Sequence, residues 1–592
     1  MSASEATVPN PIPREPGGNP TEVGETRWRR GLRLSLQPLR YSAAAFAIFV
    51  SLQYTDDALC AVINAGLFLL PLSLLLALCG RRVWSLSGAS AFAIFLYGMG
   101  ELKNNYFGNR LAIADWEFIA EPVNWSVVWL YPRMYTALSA FLFGLLLLAL
   151  DAALAARRLP SLPAQTRLLS GLLFLGLVVF MYGNRHHHTW EVWRDDADCG
   201  DRHTCGIAGR LMYSFSMFEY EPPAHAGDPS VFLARKSALA GPPPFASEPT
   251  DVVVWLNEST FDPRNYQLPG AKLPKLPMFD RTPRTRAMGA MRTHTFGGKT
   301  WLSEFSMLTG LVPDDFGALR NLVFTTVGPN THSNMFRLFK ANDYKTVVLM
   351  PTFKRFYGAG RTYVGMGVDE VLTLRDFREY DTLPGDAWDI ADTDRMAEAA
   401  INLIKRHRGG PDAAKPLFLY LLSVKEHAPY SRKTKVLYNL DHSGLTKSMA
   451  GRMTDYIGRL RTLDAAVKSM DDYLGTQGSR HSLFAYFGDH QAYFDEPSPP
   501  YRDTLPDPDH VTQFQIRANF AAPPTPREPL LDIAFVPSLV VDFAGVRKDD
   551  YFSALTAMRQ LCGGLLDECA DEALLQSYKA YVFSPELNLF EK

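Results

Sequence analysis

Asp251–Thr260 reads DVVVWLNEST, a β-branched and aromatic run that closes on four polar residues. A strand with one wet face alternates apolar and polar side chains. An unbroken apolar run is instead the pattern of a strand buried on both faces, as in a parallel sheet. Comparable runs recur at Tyr344–Met350 (YKTVVLM), Pro416–Val424 (PLFLYLLSV), Ser482–His490 (SLFAYFGDH) and Phe514–Phe520 (FQIRANF). Helical periodicity lies between them, at Asp392–Arg408 and Thr446–Leu474. Strands alternating with helices predict a doubly wound α/β domain, assigned here to residues 250–592.

Ligands of such folds bind beyond the carboxyl ends of the strands. Those ends carry Asn257-Glu258-Ser259-Thr260, Ser423-Val424-Lys425-Glu426-His427 and Gly488-Asp489-His490. Glu258, Asp489 and His490 are oxygen and imidazole donors suited to one divalent cation, Mn²⁺ or Zn²⁺. A nucleophile is offered by GGKTWLSEF (Gly297–Phe305). Its glycines let the backbone approach a ligand. Thr300 precedes a helix expected over Leu302–Leu308, whose free N–H groups and dipole favour an anion. A threonine hydroxyl becomes nucleophilic when metal coordination lowers its pKa. The same residue is also an ordinary helix cap, and spacing does not choose between the two. Lys299 is either a solvated loop lysine or an electrostatic aid beside a phosphate.

The averages over the 592 residues, a net charge of −2 and a mean hydropathy of −0.08, describe an ordinary soluble protein. They exclude a disordered acidic chain and give no case for nucleic-acid binding. They also conceal a partition. Leu59–Gly80 runs 22 residues without a charge, and Met134–Leu150 and Leu168–Tyr182 are nearly as apolar. Weaker runs at Tyr41–Tyr54 and Val83–Gly98 bring the expected number of membrane spans to five, in a domain over residues 41–182. Residues 1–40 form a polar tail, too long before the first apolar run for a cleavable signal pattern. Arginines 27, 29, 30, 33, 40, 81, 82, 157, 158 and 167 all fall in segments on one side, which marks that side as cytoplasmic. The loop Glu101–Arg133 faces the other side with Trp116, Trp125, Trp129 and Tyr131, suited to a membrane interface. Everything after Tyr182 is then periplasmic or extracellular.

Residues 183–249 read as a linker that wraps onto the domain, with GPPPF at Gly241–Phe245. His186–His188 follow the last span. Adjacent side chains point in different directions, so they read as solvated linker rather than a metal site. Cys199/Cys205 and Cys562/Cys569 form two local pairs in the exported part, where disulfides are the natural state.

The pieces NEST (Asn257–Thr260), GGKTWLSEF, YKTVVLMPTFKRFYG (Tyr344–Gly358), KEHAPY (Lys425–Tyr430), FGDH (Phe487–His490) and DIAFVPSLVVDFAG (Asp532–Gly545) occur in one order. In that order the chain resembles the alkaline-phosphatase/sulfatase superfamily. Within it, the resemblance is to the lipoteichoic-acid-synthase-like branch of membrane-bound phosphoglycerol and phosphoethanolamine transferases, and it extends from about Tyr41 to Gly545. It implies that Glu258, Thr300, Asp489 and His490 are metal ligands, with Thr300 also the nucleophile. His427 is implied to contact the phosphoryl group or the leaving alcohol. Lys299, Trp301, Tyr357, Arg361 and His427 form the expected substrate-binding set. The chain departs from relatives that carry a His near Met350 and an Arg at Ala359, a role for which Arg361 or Arg355 is available. The implied reaction moves a phospholipid head group, from phosphatidylglycerol first and phosphatidylethanolamine next, to a glycan or glycolipid acceptor. It passes through a phosphothreonine. The rivals are a sulfatase- or phosphodiesterase-type hydrolase and a non-catalytic lipid sensor of the same fold. Ser498-Pro499-Pro500-Tyr501-Arg502 formally matches the sulfatase pattern C/S-x-P-x-R, but in a proline-rich loop.

Overall fold

The computed structural model describes residues 27–52, 58–107, 111–113, 115–120, 122–125, 132–156, 160–184, 206–214, 225, 227–239, 248–351, 353–377, 393–430, 445–476, 480–502, 505–522 and 528–590. Arg157, Arg158, Trp129, Tyr131, His186–His188, Cys199, Cys205 and Gly241–Phe245 lie outside them.

Among the described residues, five long helices come first: Arg27–Ser51, Ala58–Cys79, Arg82–Phe107, Pro132–Ala156 and Ala164–Gly183. Among the described residues, four helices are long and apolar enough to cross a membrane: the last four of these, over Ala61–Cys79, Arg82–Lys103, Met134–Leu154 and Ala164–Gly183. The expected first span, Tyr41–Tyr54, falls mostly on helix Arg27–Ser51, and its last two residues lie outside the described ones. That helix begins RWRRGLR and contains Pro38, so only its second half is apolar. This half still packs within the bundle, with Ala47 buried against Ile63, Leu67 and Ala93.

One end of the bundle gathers the arginines. Buried Arg40 pairs with buried Asp151 at 2.6 Å, and Val83 packs on Ala152. Arg167 donates to the carbonyls of Ala77 and Leu78 at 3.0 and 2.9 Å, capping helix Ala58–Cys79. Cationic donors on terminal carbonyls satisfy groups that a helix end leaves unpaired.

The second unit is an α/β domain on an eight-stranded sheet, in the order β4-β3-β5-β1-β6-β7-β2-β8. The strands are β1 (Thr250–Asn257), β2 (Thr285–Arg292), β3 (Lys345–Met350), β4 (Glu370–Thr373), β5 (Leu417–Leu422), β6 (His481–Gly488), β7 (Val511–Ala518) and β8 (Glu528–Asp532). β1 lies between β5 and β6, parallel to both. Every residue of β1 is buried. Val252, Val254 and Leu256 join one core, Val253 and Trp255 the other, as the period-2 pleat requires. Helices Thr393–Arg408 and Lys447–Gly475 cover the second face. Helices Thr300–Thr309, Val536–Ala544 and Asp550–Cys562 cover the first.

The sheet is mixed rather than uniformly parallel. β7 runs antiparallel to both β6 and β2. Helix Ser230–Ala238 packs on helix Glu572–Val582, with the Phe232 N–H donating to Ser577 Oγ at 2.9 Å. The pair Cys562/Cys569 is a disulfide. The short helix Pro122–Trp125, between the third and fourth long helices, touches the turn Phe356–Gly358 of the α/β domain.

Candidate functional site

Adjacent parallel strands β1 and β6 end side by side, with Asn257 opposite Gly488. The next residues on each, Glu258 and Asp489-His490, therefore meet. They form a cluster of buried donor atoms all within 4.8 Å of one another. Gly488 permits this approach. A Cβ there would lie 1.9 Å from the Thr260 carbonyl oxygen.

Asp489 Oδ1 accepts the backbone N–H groups of Ser259 and His490, at 2.8 and 2.9 Å. Asp489 Oδ2 is buried without a hydrogen bond. His490 Nδ1 lies 2.8 Å from the Gln491 carbonyl, so this nitrogen carries the proton. Its Nε2 faces Glu258 Oε1 at 3.1 Å and Asp489 Oδ2 at 3.3 Å, again without a hydrogen bond. A lone pair and two carboxylates facing one point in a buried space call for positive charge there.

The titration behaviour agrees. Burial and the neighbouring Glu258 charge push the Asp489 carboxyl up. Burial alone would lower His490, but Asp489 and Glu258 raise it above its ordinary range. Burial would raise Glu258, but the charge of His490 holds it ionised. A divalent cation taking the place of the Nε2 proton balances the two carboxylates and leaves the imidazole neutral. The residues present fit one.

Thr300 completes the arrangement. Gly297, Gly298 and Lys299 have φ of 67°, 158° and 63°, and Lys299 caps helix Thr300–Thr309 in the left-handed region. This loop turns Thr300 toward β1, where its hydroxyl donates to Glu258 Oε2 at 3.1 Å. One turn into the helix, Ser303 Oγ donates to the Asp489 carbonyl at 2.6 Å. The cluster and the helix are thus tied by two bonds. The helix end supplies free N–H groups for an anion held against Thr300.

His427 follows β5 in a turn fixed by buried Arg459, which donates to the carbonyls of Lys425, His427 and Pro429 at 3.0, 2.6 and 3.0 Å. Its ring is half-buried. Burial lowers its pKa, with Glu258 opposing, so it rests neutral. It stands close enough to Glu258 and His490 for their charges to act on it.

The other expected contacts divide. Trp301 is half-buried, donates to the Asn321 carbonyl at 3.0 Å, and its ring lies 6.1 Å from that of Tyr357. Lys299 is half-buried in the same loop. Tyr357 sends its hydroxyl inward to Glu304 Oε2 at 2.8 Å. Arg361 is exposed, its guanidinium beside Gly358. Ser498 lies in a loop and not at the start of a helix, so its formal motif has no counterpart at the cluster.

Sequence reasoning passes over Glu304 and His294. Glu304 is an acid in the middle of the apolar run LSEFSML, a pattern that itself signals a buried partnered group. His294 is buried between Asp532 (3.1 Å) and Asp314 (3.5 Å) at the far ends of β2 and β8.

The family model for sulfatases matches residues 250–546. A protein of Haemophilus influenzae (strain ATCC 51907 / DSM 11121 / KW20 / Rd) described only as uncharacterized is 29% identical over 502 residues, 84% of this chain and 90% of that protein. Among solved structures, the phosphoglycerol transferase GacH of Streptococcus pyogenes, in complex with sn-glycerol-1-phosphate, aligns at a TM-score of 0.49 and 15% identity. The match covers 62% of this chain and 95% of that one. The integral membrane lipooligosaccharide phosphoethanolamine transferase A (EptA) of Neisseria meningitidis aligns at 0.46 and 13% identity, over 87% of this chain and 98% of that one.

Proposed function

Because this chain belongs to the sulfatase family, we propose that it is a membrane-anchored transferase. It moves a phospholipid head group, phosphoglycerol or phosphoethanolamine, to a glycan or glycolipid on the outer side of a bacterial cytoplasmic membrane. Thr300 is the nucleophile. The observation that carries this reading is the Thr300 hydroxyl at a helix N-terminus, 3.1 Å from Glu258 and beside two orphaned buried donors, Asp489 Oδ2 and His490 Nε2. The long apolar helices in the same chain supply the reason for a lipid donor. Anchoring raises its effective concentration.

Glu258, Asp489, His490 and Thr300 Oγ1 would hold one Mn²⁺ or Zn²⁺. When bound, that ion lowers the hydroxyl pKa and offsets charge on the phosphoryl oxygens. Thr300 Oγ1 attacks the phosphorus of the donor lipid as its proton departs. The bond from phosphorus to the diacylglycerol oxygen breaks, and that oxygen takes up a proton. The head group remains as a phosphodiester on Thr300. In the second step an acceptor hydroxyl attacks the same phosphorus, its proton returning to Thr300 Oγ1. Neutral His427 accepts and hands on these protons without net change. Lys299 and the free N–H groups of helix Thr300–Thr309 hold the phosphoryl oxygens. Trp301 lines the approach.

Vesicles containing labelled phosphatidylglycerol or phosphatidylethanolamine test the reading. The wild type should release diacylglycerol from one of them, and Thr300→Ala should reduce release by at least about a thousandfold. Release retained by Thr300→Ala would remove Thr300 as nucleophile.

A further inference from the structure

Helix Thr300–Thr309 carries an acid that the transfer chemistry leaves unused. Glu304 sits one turn after Thr300 and is fully buried. Residues four apart lie on one face of a helix. Among the described residues no cation pairs with Glu304. Two tyrosines hold it instead, Tyr357 Oη at 2.8 Å from Oε2 and Tyr363 Oη against Oε1. Burial pushes this carboxyl up to about 8, and the charges of Asp489 and Glu258 act in the same direction. Burial thus favours the neutral form of this acid, a state that needs no counter-ion.

The two tyrosines come from different places. Tyr363 is a buried residue of helix Ala359–Gly365. Tyr357 sits in the turn Phe356–Gly358 with φ 38° and ψ 27°, left-handed backbone that a side chain other than glycine adopts at a cost. Its ring lies 6.1 Å from Trp301, 6.0 Å from Phe324 and 5.1 Å from Phe356. The Tyr357 hydroxyl bond to Glu304 anchors that strained turn to the helix that presents Thr300. Trp301, directly after Thr300 in the chain, and Tyr357 then form an aromatic pair at the start of that helix.

We infer that Glu304 is a positioning residue: it sets the Trp301–Tyr357 wall beside Thr300 and so determines which head group the site accepts. This rests on the transferase reading. If the buried acid served stability alone, its removal would lower the melting temperature and leave selectivity untouched.

The test uses the full-length protein and two soluble esters with one leaving group. One is the p-nitrophenyl ester of glycerophosphate, or of phosphoethanolamine if that is the head group used. The other is p-nitrophenyl methyl phosphate, which lacks a head group. Tyr357→Phe and Glu304→Leu should each raise KM for the head-group ester about tenfold, the loss of roughly one hydrogen bond. KM for the methyl ester should change several-fold less in the same variants, and Glu304→Gln should retain wild-type selectivity because its amide still bonds both tyrosines. Equal losses on both esters, or no change on either, would overturn the inference. Wild type inactive on both esters would count against the transferase reading instead. Calorimetric binding then decides the inference. Affinity for glycerol phosphate or phosphoethanolamine should fall about tenfold in Tyr357→Phe while affinity for inorganic phosphate holds. A parallel fall in both would overturn it.

Discussion

Thr300, Glu258, Asp489 and His490 were legible because each closes a strand or opens a helix. The pleat and the parallel order of β1 and β6 do the rest, bringing residues 231 positions apart, Glu258 and Asp489, into one cluster. Glu304 and His294 were not legible, since their roles depend on partners that only the tertiary fold supplies. Tyr357 was expected to face the substrate. Its hydroxyl points into the protein because a buried acid waits there. His294 yields a pH prediction. Burial would lower its pKa, but Asp532 and Asp314 raise it to about 10. A group raised in the folded state above its ordinary value of about 6.5 stabilises the fold fully below that value and loses this contribution as pH rises through the folded value. The melting temperature of wild type should therefore exceed that of His294→Gln by several degrees at about pH 6, and the gap should close toward about pH 10. A gap constant across that range would show that His294 is not held protonated.

At the level of elements, β1, β3, β5 and β6 were readable as continuous apolar runs, and the two long helices between them by periodicity. β2 was missed. Its burial alternates along TRAMGAMR, and alternating small and polar residues resemble a loop when the partner strand is unknown. The antiparallel direction of β7 was equally hidden, because a buried run reads the same in both directions. The end of β6 carries the sharpest requirement on a single side chain. A Cβ at Gly488 would meet the backbone of Thr260, which cannot swing aside as a side-chain tip can. Gly488→Ala should therefore displace Asp489 and His490, costing several kcal/mol and most of the activity. Wild-type stability and turnover in Gly488→Ala would contradict the close approach of β1 and β6.

Across the whole molecule, apolarity and charge are segregated in a way the averages conceal. Among the described residues four helices qualify as spans, and the apolar half of Arg27–Ser51 runs beside them from the arginine-rich end, where Arg40 meets Asp151. Chain direction through the bundle then leaves Gly183, and the α/β domain after it, at the opposite end. This predicts a labelling pattern in intact spheroplasts of a background in which Cys60, Cys79, Cys199 and Cys205 are replaced by serine. A membrane-impermeant maleimide should reach Val364→Cys from outside and Ser161→Cys only after the membrane is opened; the reverse pattern would invert the orientation. Placing the α/β domain outside gives a further meaning to the contact between Pro122–Trp125 and Phe356–Gly358: the segment between the third and fourth long helices touches the turn we propose as one wall of the site, where a lipid head group would arrive. The central claim is that Thr300 carries that head group between donor and acceptor. Mass analysis of wild-type protein, quenched during turnover of phosphatidylglycerol or phosphatidylethanolamine without acceptor, tests it most directly. The account predicts a phosphoglycerol or phosphoethanolamine adduct on the peptide containing Thr300, gone when acceptor is added. Diacylglycerol release with Thr300 unmodified throughout would contradict it.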